Sequence, residues 1–181
     1  MDPGVILTLV VLLVGIFAAA LSHKLSDLRG FRRTLVNYRL LPGWTPDRVY
    51  SLMVALLLVS EGLVCLMLLF SATRTEGALL AMGLLALYSV GIGINLLRGR
   101  RDMDCGCTWG SEKSSLSGWL LLRNGSLLVL AWLMTIEPLQ RVFSWQDWLL
   151  SALAAVAGLL VYFAADGLIS NWSRLRSLRL S

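Results

Sequence analysis

Five apolar runs, at residues 5–21, 49–70, 77–97, 116–136 and 145–169, constrain this chain more than anything else in it. Each is close to the roughly 20 residues that a helix needs to cross about 30 Å of hydrocarbon. Composition agrees: 57% of the 181 residues are hydrophobic and 15% charged, against about a quarter charged in soluble proteins. The mean hydropathy is +0.73. The expected fold is all-α, a polytopic transmembrane helix bundle of about five spans. Residues 1–181 should form a single integral membrane domain, with no soluble domain, linker or internal repeat. No Lys or Arg precedes the first run, and Ser22-His23-Lys24 follows it without a small-x-small cleavage site, so it reads as a span and not as a signal peptide.

Basic residues orient the spans, because positive loops resist translocation. Lys24, Arg29, Arg32, Arg33, Arg39 and Arg48 follow the first span, Arg98, Arg100, Arg101 and Lys113 the third, and Arg174, Arg176 and Arg179 the last. Only Arg74 and Arg141 fall on the other side. The thirteen-to-two split places the N-terminus outside and the C-terminus in the cytoplasm. The net charge of +5 then reflects topology and attraction to anionic lipid, not nucleic acid.

Residues 23–48 are too polar to span. Leu25, Leu28, Phe31, Leu35 and Val36 fall near helical spacing with Arg29, Arg32, Arg33 and Arg39 between them. This segment is expected as an amphipathic interfacial helix ending before Leu41-Pro42-Gly43. Within the spans, Glu61 lies about 18 Å along the second helix, near the bilayer centre. Arg123 and Asn124 lie inside the fourth span, Asn95 and Asp166 near the cytoplasmic ends of the third and fifth, and His23 and Lys24 at the end of the first. Each costs energy at membrane depth unless partnered. The structural expectation pairs Arg123 with Glu61 or Asp166 and lets Lys24 snorkel to the interface. The functional expectation has Glu61, Arg123 and His23 line a site beside the cysteines.

Residues 101–110, RDMDCGCTWG, carry Cys105 and Cys107 on the cytoplasmic side, with Gly106 between them. Closed structural zinc sites take four ligands, and Cys105, Cys107, distant His23 and Cys65 in the second helix do not supply one chain with such a set. No metal is expected, although half a site in each of two subunits stays open. Dithiol chemistry suits the spacing better, since residues two apart can come within disulfide reach and Gly106 frees the backbone. Such a ring is strained and gives up its disulfide readily. Arg98, Arg100 and Arg101 favour the thiolate while Asp102 and Asp104 oppose it. Cys65 reads as a packing residue.

Together these residues resemble a known family. Ala20-Leu21-Ser22-His23-Lys24-Leu25, then Phe31 and Tyr38-Arg39-Leu40-Leu41-Pro42, Glu61, Asn95-Leu96-Leu97-Arg98-Gly99-Arg100, Asp104-Cys105-Gly106-Cys107 and Leu122-Arg123-Asn124 are similar to methylamine utilization proteins of the MauE type. The resemblance implies a four-helix DoxX-like core plus one further helix in the bacterial inner membrane. It implies a role in maturing methylamine dehydrogenase, through processing, export or disulfide formation of the small subunit. A MauD-like thioredoxin-fold protein and that small subunit are the implied partners. Cys105 and Cys107 become the redox pair, with Glu61, Arg123, Asn124, Asp166 and His23 as buried polar companions. The helical layout also resembles quinone-linked thiol oxidases, which makes a quinone a candidate electron sink and a thiol-disulfide oxidoreductase a candidate activity. Those oxidases work on the periplasmic side, so a cytoplasmic pair leaves the direction of electron flow open. The alternative is a non-catalytic membrane assembly factor that holds the thioredoxin-like partner or the exported subunit.

Overall fold

A computed structural model describes residues 1–99, 118–137, 139, 141, 142 and 144–178, with side chains to residue 168. Its elements are α1 (Pro3–Ser26), α2 (Leu28–Asn37), α3 (Asp47–Leu69), a 3-10 turn (Ser71–Thr73), α4 (Arg74–Leu97), α5 (Gly118–Leu133) and α6 (Trp145–Leu178). The chain is a multi-pass helical membrane protein: α1, α3, α4 with its preceding turn, and α6 are each long and apolar enough to cross a bilayer. α5 covers the expected fourth span with only 16 residues, about 24 Å of helix, and α6 runs beyond the expected end at residue 169.

The long helices are apolar on nearly every face because their outer sides meet lipid instead of water. In α3, Leu52, Leu56, Val59 and Leu66 point outwards. Tyr50, Val54, Leu57, Glu61, Val64 and Leu68 form the opposite, buried stripe at helical spacing. In α1 the stripe is Ile6, Leu9, Val10, Leu13, Ile16 and Phe17, and it continues to Lys24. α1 packs on α3, α3 on α4, α4 on α5 and α5 on α1, which gives a four-helix core. α6 packs along the outside of α1. Their approach is close: a Cβ at Gly158 would lie 2.4 Å from Leu12 Cδ1, and one at Gly15 3.0 Å from Leu159. Small residues at such crossings let helices gain van der Waals contact where lipid offers no hydrophobic drive.

Each end has its own fastening. At the N-terminal end, Asp2 caps α1 through Gly4 N, and Arg141 grips Asp2 at 3.0 Å and Asp147 at 2.6 Å. The Met1 ammonium donates to the Glu137 carbonyl, and Leu139 N donates to Met1 O at 2.7 Å. Its two carboxylate partners push the Arg141 guanidinium further up, Asp147 more than Asp2. At the opposite end, Asp27 closes α1 and caps α2 through Gly30 N. Arg98 Nη1 there donates to Arg39 O at 3.0 Å, tying the end of α4 to the α2–α3 connection. The expected amphipathic helix is α2, which ends at Asn37 before the Pro42-Gly43 turn.

Candidate functional site

Inward stripes on three helices converge on one buried ionic group. Lys24 from α1 and Glu61 from α3, each 1% exposed, form an ion pair through Nζ and Oε1. Tyr88 from α4 donates to the same Oε1 at 2.6 Å, and Lys24 Nζ donates to the Tyr88 hydroxyl at 3.1 Å. The ammonium also lies 4.7 Å from the Tyr88 ring centroid and 5.0 Å from that of Phe31 on α2. Cation–π attraction of this kind is strongest where water is absent. Glu61 Oε2 has no hydrogen-bond partner among the described residues. This oxygen is an open, buried acceptor.

Lys24 therefore does not snorkel. The lysine stays on the α1 stripe and turns inwards, because a carboxylate, a hydroxyl and two ring faces replace the water it gives up. Tyr88 and Phe31 were not among the expected site residues. The signal available for Tyr88 was its place on the buried α4 stripe between Leu84, Leu85, Gly91 and Ile92.

Of the two partners expected for Arg123, the structure selects Asp166. Their Nη1–Oδ1 distance is 2.7 Å, at 6% and 11% exposure. Arg123 also stands 5.9 Å from the Tyr162 ring. The pair matters because it ties α5 to α6, which runs along α1. It crosses the space between them beside a notch lined by Ile16, Ala19, Ala20, His23, Tyr162, Phe163 and Asp166. The notch has room for about one water.

His23 faces this notch while its neighbour Lys24 faces Glu61. Glu61 and Arg123 thus sit in two distinct ion pairs. Asn95 and Asn124 are buried on α4 and α5; Asn95 Nδ2 donates to Gly91 O at 3.0 Å, and its Oδ1 has no partner among the described residues. Cys65 packs against the core, with Sγ 3.9 Å from Val14 O. Cys105 and Cys107 lie outside the described residues. Among the described residues, no three His, Cys, Asp or Glu side chains gather as a metal site.

The family profile described as methylamine utilisation protein MauE matches residues 3–137. The chain belongs to the MauE family. A relative named methylamine utilization protein MauE from Paracoccus denitrificans is 32% identical over 167 residues, covering 91% of this chain and 87% of the relative. Another of that name from Methylorubrum extorquens is 32% identical over 173 residues, with 93% and 89% covered. One from Methylophilus methylotrophus is 31% identical over 91% of this chain and 86% of its own length. No solved structure matches the chain. The MauE match takes in α1 to α5, and with them Lys24, Glu61, Tyr88, Arg123 and the Cys105-Gly106-Cys107 segment. It ends before α6, so Asp166 answers Arg123 from beyond the matched residues.

Proposed function

We propose that this protein serves methylamine utilisation in the inner membrane by supporting maturation of the methylamine dehydrogenase small subunit through thiol-disulfide exchange at Cys105 and Cys107. Membership of the MauE family carries the reading, and the Cys-Gly-Cys segment between α4 and α5 supplies its chemistry. The N-terminus lies in the periplasm, and the cysteine loop and C-terminus lie in the cytoplasm, as the distribution of basic residues favours.

The exchange balances without a further reagent. A thiolate of the pair attacks a disulfide of a thioredoxin-fold partner, a mixed disulfide forms, and the second thiol resolves it. The pair loses two electrons and two protons as its S–S bond forms, and the partner gains them as its own opens; the reverse sequence is equally balanced. The buried ion pairs hold together the helices on either side of the loop.

Replacing Cys105 or Cys107 by Ser tests this. Each variant should accumulate in the membrane yet fail to support an active dehydrogenase, and Cys107→Ser should trap a mixed disulfide with the partner. Normal maturation in both variants would refute the redox role and leave the assembly role, which the internally matched charges of Lys24–Glu61 and Arg123–Asp166 favour. Labelling the pair with a membrane-impermeant thiol reagent in intact cells and inverted vesicles tests the topology. Labelling in intact cells would overturn the cytoplasmic assignment.

A further inference from the structure

We infer that α2 is a lid over the Lys24–Glu61–Tyr88 site and that anionic phospholipid headgroups hold it shut. The inference does not depend on the thiol chemistry. Its first support is the two-sidedness of α2. Phe31 is buried, its ring 5.0 Å from the Lys24 ammonium, and Leu35, one turn on, packs against the core. Arg29 and Arg33, also one turn apart, are exposed on the opposite side of the helix. One face of this ten-residue helix closes the ionic site while the other presents charge outwards.

Charge asymmetry between the two ends supplies the second support. At the N-terminal end, Arg141 is held by Asp2 and Asp147, and Arg74 donates to the Leu68 carbonyl. At the α2 end, Arg29, Arg33, Arg39, Arg48 and Arg98 are all exposed, with no carboxylate partner among the described residues. Of the described carboxylates at this end, Asp27 accepts from Gly30 N, and Asp47 pairs with Arg32 at 2.8 Å. Trp44, 84% exposed, stands in the same rim. Exposed arginines beside an interfacial tryptophan, at the rim of a membrane-spanning bundle, match phosphate headgroups in charge and depth.

Closure can be read directly, because the chain has only two lysines, Lys24 and Lys113. Lys24 is 1% exposed with the lid closed, so its acylation by a water-soluble amine reagent reports opening, normalised to Lys113. The full-length protein is compared in nanodiscs of phosphatidylcholine alone and of phosphatidylcholine with phosphatidylglycerol.

Each arginine near an anionic surface is worth about five-fold. Phosphatidylglycerol should therefore slow Lys24 labelling about 25-fold through Arg29 and Arg33. The double variant R29Q/R33Q should lose this slowing. Salt of about 1 M, where screening acts within about 3 Å, should abolish it in the unaltered protein. Equal Lys24 labelling in both lipids would overturn the inference, as would full slowing in R29Q/R33Q. Slowing by added polyglutamate but not by phosphatidylglycerol would overturn it too, assigning the rim to an acidic protein.

Discussion

Removing Lys24 should injure this protein about as much as emptying a large apolar position of its core. In Lys24→Met the side-chain volume is nearly kept, but the Glu61 carboxylate stays at 1% exposure with Tyr88 as its one described donor. Breaking a buried pair by deleting one partner costs about 3–5 kcal/mol, because the remaining charge is uncompensated. Glu61→Met strands the ammonium between two rings and should cost a similar amount. The double variant K24M/E61M removes both charges and fills the site with apolar atoms, a change that is often neutral. The coupling energy from the cycle should therefore exceed about 3 kcal/mol, well above the roughly 0.6 kcal/mol average for interhelical hydrogen bonds in membranes. Reversible unfolding in mixed micelles, read by helical circular dichroism, measures all four proteins. A coupling below about 1 kcal/mol, the range of exposed pairs, would refute the idea that this pair is a desolvated unit.

Other positions give further expectations. Tyr88→Phe removes a 2.6 Å hydrogen bond to a charged acceptor and should cost about 1.5–3 kcal/mol in the same unfolding assay. Arg123→Gln cuts the bridge to α6. It should raise the proteolytic susceptibility of α6 while α1–α4 stay protected, and D166R in an R123D background should restore part of the protection. Gly77→Ala places a Cβ 2.8 Å from Met67 Cβ and 3.1 Å from Leu68 N, where backbone has to move, so it should destabilise by about 1–3 kcal/mol. The raised Arg141 guanidinium keeps its proton throughout the neutral and alkaline range. Its contribution is present below its ordinary titration and is lost only as pH climbs past the raised value. The clamp should accordingly show no loss from neutral to alkaline pH, and Arg141→Gln should loosen the α5–α6 connection at every pH in that range, as read by limited proteolysis.

The sequence made the spans legible because lipid imposes a length and a composition that periodicity alone does not. Its limit came at the polar residues, where the decisive quantity is rotation and not depth. Judged by depth, Lys24 sits near a helix end and reads as an interfacial snorkel. Judged by rotation, it lies seven residues after Phe17 on the stripe Ile6, Leu9, Val10, Leu13, Ile16, Phe17, and so points at the core. Tyr88 similarly continues Ala81, Leu84 and Leu85 towards Gly91 and Ile92. Aromatic residues are common enough in apolar helices that only a partner's position singles one out. Arg123 was legible as a buried cation, but the choice between Glu61 and Asp166 depends on which helices flank α1, and spacing along one helix does not encode that.

The arrangement around α1 turns on two consecutive residues. His23 and Lys24 are about 100° apart on the helix, which is enough to send one to the α6 notch and the other to Glu61. A rotation of α1 by one residue would withdraw both from their sites together. The end of α1 therefore links the lid side of the bundle to the α6 side. The link can be tested in His23→Gln, which leaves the Lys24 site chemically untouched. If the linkage through α1 holds, this variant should change the rate of Lys24 acylation relative to Lys113; an unchanged rate would show that the two sites respond independently.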